Sequence, residues 1–174
     1  MYTPCPFNKK APVIIGCDHG GVRLKKIIKD HLTELGIAYA DVGSDSEEIV
    51  RYPNYAREVI NRIRSGEFNR GILICSTGIG MSIAANRFPG IRASAISDHY
   101  SAVMTRRHND SNLLCLGGKT IGEFVAIDIL DAWLTEEYIG GRHDISLALI
   151  ESFEQELYKP ELLNRRQGVD LKND

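Results

Sequence analysis

Strict alternation of short β-branched runs with segments of helical spacing constrains this chain more than any other feature. Val13–Cys17 is a five-residue apolar run that breaks at Asp18-His19-Gly20-Gly21. Behind it, Leu24, Ile27, Ile28, His31 or Leu32, and Leu35 fall on one helical face, and Gly36 sits where a helix end favours a left-handed residue. The pattern repeats. Strands are expected at Ile37–Val42, Gly71–Cys75, Ile91–Ile96 and Leu113–Leu116. Helices are expected at Tyr55–Ser65, Met81–Arg87, Tyr100–Arg107, Ile121–Leu134 and Asp144–Leu157, and Gly43–Pro53 reads as a long loop. Parallel strands need crossovers, so the alternation predicts an α/β domain: a single Rossmann-like, three-layer unit around a five-stranded parallel sheet, with a C-terminal helix and extension. The domain is placed at residues 11–158 and a polar tail at 159–174, broken by Pro160.

Composition narrows the function classes. A chain of 174 residues can bury one continuous core. A formal charge of −2 supplies no global field for nucleic acid or an anionic membrane. Cys5, Cys17, Cys75 and Cys115 include no CxxC pair and no Cys/His cluster at zinc spacing, so no metal site is expected. Scattered thiols in a chain of this length point to a reducing compartment. The first residues lack a basic start followed by an apolar run, and no segment reaches the length of a membrane span. The expectation is a cytoplasmic protein whose anion binding comes from a local site.

In open parallel sheets that site lies at the carboxyl ends of the strands. Cys75 stands there, followed by Ser76-Thr77-Gly78-Ile79-Gly80 and a helix. Backbone N–H groups in such a glycine turn favour a phosphate or a developing oxyanion, and the same field favours a thiolate. Cys75 therefore suits a nucleophile or a general base, although a small apolar core residue explains an isolated cysteine equally simply. A cysteine-dependent phosphatase needs an arginine six positions later, and that position is Met81. A dinucleotide loop ordinarily follows the first strand, not the third.

Other groups are ambiguous when taken one at a time. His108 suits proton transfer and equally suits a helix C-terminal cap. Arg142-His143 reads as a solvated turn or an anion contact, and Lys119 as surface or anion ligand. Cys17 and Cys115 read as core and Cys5 as incidental, while His99 after strand four reads as a loop residue.

Taken together, the motifs are more specific. Gly16-Cys17-Asp18-His19-Gly20-Gly21, Tyr52-Pro53-Asn54-Tyr55-Ala56, the run from Gly71 to Arg87, Gly90–Ala93 and Tyr100-Ser101-Ala102 occur in fixed order. His108-Asn109-Asp110, Gly117-Gly118-Lys119 and Gly140-Gly141-Arg142-His143 complete the series. From about Val13 to Glu154 the chain resembles the ribose-5-phosphate isomerase B family of sugar-phosphate isomerases, which also includes galactose-6-phosphate isomerase subunits and allose-6-phosphate isomerases.

The resemblance implies interconversion of an aldose phosphate with its ketose phosphate without metal or cofactor, in a homodimer or dimer of dimers with sites at the subunit interface. It implies Cys75 as the base, and N–H groups from Ser76 through Gly78 and Ile79 to Gly80 as the anion hole. It also implies Thr77 and His108 as the ring-opening pair, Asp18 and Asn109 on sugar hydroxyls, and Tyr52 lining the pocket. His19, Lys119 and Arg142 would clamp the phosphate. Some members use a glutamate base where Met81 stands. Three positions depart from the common pattern: Arg51 where aspartate is frequent, Ser146 where a second arginine is frequent, and Lys119 where arginine is frequent. A hexose-phosphate isomerase and a catalytically silent sugar-phosphate-binding protein are the alternatives.

Overall fold

A computed structural model describes residues 2–158; the expected tail at 159–174 lies outside the described residues. Five strands form one all-parallel sheet: β1 (Val13–Cys17), β2 (Tyr39–Asp41), β3 (Gly71–Cys75), β4 (Ala93–Ala95) and β5 (Leu113–Gly117), in the spatial order β2-β1-β3-β5-β4. The helices are α1 (Val22–Glu34), α2 (Tyr52–Arg64), α3 (Ile79–Ala85), α4 (His99–Asn109), α5 (Glu123–Thr135) and α6 (Arg142–Leu157). The expected α/β class and five-stranded parallel sheet are what the structure contains.

The three central strands are buried along their whole length, because helices cover both faces. Side chains of Ile15, Ile72, Ile74, Leu114 and Leu116 pack against α1, α4 and α5, with Trp133 at the centre of that layer. On the other face Ile14, Leu73, Leu113 and Cys115 pack against α2 and α3. Each such fully buried aliphatic chain contributes about 1.5–3 kcal/mol. β2 and β4 are only three residues long, shorter than their apolar runs, because at the sheet edges one side of the strand has no ladder partner.

Helix boundaries follow local chemistry. Gly36, at φ 66, closes α1 as expected: its N–H donates to Thr33 O and the next N–H, from Ile37, to Leu32 O. α2 begins at Tyr52, so Pro53 belongs to the helix and not to the loop. In a first turn the missing N–H costs nothing and the fixed φ already suits the helix. α3 starts at Ile79, two residues before the expected Met81, and Met81 is fully buried. α4 is capped by Asp98, whose carboxylate accepts from Ser101 N at 2.8 Å, and His99 is the first helical residue, paired with Asp128. Phe124 fits the spacing of α5 but is 84 % exposed. α6 buries only Leu147, leaving Ile145, Leu149 and Phe153 on the surface. Among the described residues, no helix is long and apolar enough to cross a membrane.

Candidate active site

The chain moves from β1 to β2 in one direction and returns to place β3 on the opposite side of β1. That reversal opens a crevice between the carboxyl ends of β1 and β3. Asp18 and His19 leave β1 there, and Cys75 and Ser76 leave β3. β5 ends beside them, with Gly117 level with Cys75.

Three loops meet at this edge, largely backbone to backbone. The Gly118 N–H donates to Cys75 O at 2.8 Å, and the Lys119 N–H to Ser76 O at 3.0 Å. Gly20 lies so close to the second loop that a Cβ on it would sit 2.3 Å from Ser76 Oγ and 2.9 Å from its nitrogen. Only glycine allows this approach.

Cys75 is buried, 5 % exposed, and its Sγ accepts the N–H of Gly78 at 3.1 Å. Gly78 takes φ 76, the left-handed turn that carries the chain from β3 into α3. The Ile79 N–H is taken by Thr77 Oγ1 at 3.3 Å. Two of the five N–H groups expected in an anion hole thus serve the loop itself, one of them on the sulfur. The Gly80 N–H belongs to the first turn of α3, where no intrahelical acceptor exists. Tyr52, at the start of α2, lies over Gly80, whose Cβ would meet the ring at 3.1 Å.

Asp18 is 5 % exposed and folds onto its own loop, Oδ1 accepting from Gly20 N at 2.8 Å. His19 Nδ1 accepts from Val50 N at 3.3 Å, which puts the proton of a neutral ring on Nε2. His19, Gly20, Gly118 and Lys119 line a cavity of about 210 Å³. Arg23 and Glu47 line it too. Neither is marked by any motif: Arg23 comes from the first turn of α1 and Glu47 from the loop at 43–51.

The structure does not bring every expected group to this edge. α4 starts at the carboxyl end of β4 and runs back to the amino end of β5. Its 11 residues span about 16 Å. His108 and Asn109 therefore lie at the opposite edge of the sheet from Cys75 and Thr77. Arg142 joins them there: the His143 ring stacks on His108 at 4.2 Å between centroids and 11° between planes. Burial, with the neighbouring His108 and Arg142 charges, holds the His143 imidazole below its ordinary pKa. Ile139 N donates to Arg107 O, tying this turn to α4.

One chain thus carries two groups of candidate residues on opposite edges. The first, at the Cys75 edge, contains Asp18, His19, Tyr52, the loop from Ser76 to Gly80, and Lys119. The second contains His108, Asn109 and Arg142. Cys17 and Cys115 are fully buried in the core, and burial pushes the Cys17 thiol up to about 11 and the Cys115 thiol higher still. The Cys5 backbone N–H donates to Asp110 Oδ2 at 2.7 Å, and its thiol lies 3.3 Å from Asn69 O.

Comparison with known proteins gives a consistent result. A ribose/galactose isomerase family model matches residues 13–150. The ribose-5-phosphate isomerase B of Escherichia coli is 47% identical over 143 residues, covering 82% of this chain and 96% of that protein. A ribose-5-phosphate isomerase B structure from Clostridium thermocellum superposes with a TM-score of 0.82 at 45% identity, covering 83% of this chain and 98% of that one. The Mycoplasma genitalium enzyme with bound ribulose 5-phosphate superposes with a TM-score of 0.79 at 33% identity, covering 83% and 97%.

Proposed function

The chain belongs to the ribose/galactose isomerase family, and on that premise we propose that it interconverts ribose 5-phosphate and ribulose 5-phosphate. The observation that carries the reading is the Cys75 sulfur, held by the Gly78 N–H at the mouth of the β1/β3 crevice. The Mycoplasma genitalium relative with ribulose 5-phosphate supports the pentose substrate.

The reaction moves two protons and one pair of electrons within the substrate. With the sugar ring open, the Cys75 thiolate removes the proton on C2. The electron pair forms the C1–C2 double bond, and the C1 carbonyl oxygen takes the negative charge of an enediolate. Returning the proton to C1 as the oxygen on C2 becomes a carbonyl gives the ketose; the hydroxyl proton passes from O2 to O1. Charge develops on oxygen, so those N–H donors of the loop from Ser76 to Gly80 that the loop does not itself use act where they count most, in the transition state. A positioned base contributes typically 10²–10⁴-fold. Asp18 holds a sugar hydroxyl, and Tyr52 walls the pocket over Gly80. The Nε2–H of His19 and the Lys119 ammonium bind phosphate.

Ring opening is assigned to Thr77 and His108. Because these lie on opposite edges of one chain, the complete site takes His108, Asn109 and Arg142 from a second copy. The apolar surface of α6 supports such a homodimer, with Ile145 68 % and Phe153 56 % exposed. The protein acts in the cytoplasm.

Assay of the purified protein on ribose 5-phosphate, allose 6-phosphate and galactose 6-phosphate tests the reading. Highest kcat/KM on ribose 5-phosphate is expected; a preference for either hexose phosphate would replace the substrate, and no turnover on all three would refute the enzyme.

A further inference from the structure

Residues 2–8 form a strap ahead of β1 that lies outside the matched span 13–150. It is held at its two ends and, between them, by Cys5, whose N–H donates to Asp110 Oδ2 at 2.7 Å and whose thiol donates to Asn69 O at 3.3 Å. Asn8 O accepts from the buried Arg70 at 2.7 Å, and Tyr2, 5 % exposed, donates its phenol proton to Asp110 Oδ2 at 2.6 Å. Asp110 is fully buried and directly follows the His108-Asn109 pair, in a left-handed conformation at φ 43. Its carboxylate also accepts from Arg92 at 3.0 Å and from Arg106 at 2.9 Å. The Tyr2 ring lies under the Arg92 guanidinium and meets Tyr138 edge-on, with centroids 5.7 Å apart. Tyr138 in turn donates to Asp144 Oδ1 at 2.8 Å, next to His143, which stacks on His108.

Tyr2 therefore stands where two arms meet. One arm passes through Asp110 to the end of α4, which carries His108 and Asn109. The other passes through Tyr138 and Asp144 to the start of α6, which carries Arg142. We propose that Tyr2 is a positioning residue that fixes these two helix ends relative to one another, and so sets the ring-opening half of the site. The inference rests on the assignment of His108 to ring opening. Burial keeps the Tyr2 phenol protonated far above neutrality, so the bond to Asp110 persists across the working range.

Ring opening and proton transfer can be read separately. Ribulose 5-phosphate has no free hydroxyl placed to close a furanose, so exchange of its C1 hydrogen with deuterated solvent, read at saturating substrate, bypasses ring opening. Tyr2→Phe is expected to lower kcat for ribose 5-phosphate by about tenfold, with the exchange rate at saturating ribulose 5-phosphate changed by less than about twofold. Tyr138→Phe, which cuts the arm that ends at Arg142, is expected to lower kcat in the same way and to raise KM as well, and Thr3→Ala, exposed on the same strap, to leave both rates intact. A fall in exchange as large as the fall in turnover, or no fall in turnover, overturns the proposal. If the native protein turned over no ribose 5-phosphate, the function would fail alone. Imidazole NMR then decides the strap: Tyr2→Phe must move the His108 and His143 signals and not that of His31, and unchanged signals overturn it.

Discussion

Gly78 donates its N–H to the Cys75 sulfur at 3.1 Å while holding φ 76, so one residue both turns the chain and fixes the thiol. A Cβ on Gly78 would meet the backbone of Leu116 at 3.0 Å and Cys115 O at 3.1 Å. Gly78→Ala is therefore expected to cost about 1–2 kcal/mol of stability and to lower kcat by about tenfold or more. Thermal unfolding and steady-state kinetics check it; unchanged kcat would mean that the loop does not set the sulfur.

The separation of Cys75 from His108 leads to a mixing experiment. Cys75→Ala and His108→Ala should each be inactive alone. Subunits exchanged between them form hybrids in which one site carries both changes and the other carries neither. Recovered activity of about a quarter of the native value is expected from random pairing. No recovery after demonstrated exchange would contradict a shared site.

Much of this was legible in the residues. β1, β3 and β5 were readable because they are buried on both faces and so appear as unbroken apolar runs. The edge strands were read too long, since Ile37 and Ile91 are buried without entering the ladder. The opposite placement of His108 follows from alternation alone, because a crossover helix returns to the start of the next strand. The strap was not legible. Tyr2 and Cys5 show no periodicity, and their partner Asp110 lies 108 and 105 residues away.

A buried lysine links the fold to pH. Lys25 is 3 % exposed and donates to Asp41, Asp45 and Ser44 O. Burial raises the Asp41 pKa, but hydrogen bonds from Lys29, Gly43 and Lys25 outweigh it and hold the carboxyl below its usual 3.8. A depressed carboxylate adds stability that is present above the unfolded value and lost as pH falls through the folded one. Burial of Lys25 is likewise outweighed by Asp45 and Asp41, which raise it above 10.5, so its share is lost only at strongly alkaline pH. Asp41→Asn should cost about 2 kcal/mol at neutral pH and progressively less below about pH 4. Urea unfolding across that range tests this; a deficit that persists undiminished at pH 2 would contradict it.

The proposed clamp of Arg142 and Lys119 would bind a phosphate equally in the ground and transition states. Uniform binding appears in KM. Arg142→Ala should raise KM for ribose 5-phosphate by about tenfold with kcat little changed, and an unchanged KM would place this residue outside the clamp.

The central claim is that the Cys75 sulfur moves the proton between C2 and C1. The most direct measurement is Cys75→Ala turnover of ribose 5-phosphate alongside its binding, read by calorimetry. Turnover should fall by about 10³-fold or more while the dissociation constant changes by less than about threefold, because the anion hole and phosphate contacts remain. Undiminished turnover by Cys75→Ala would contradict the account.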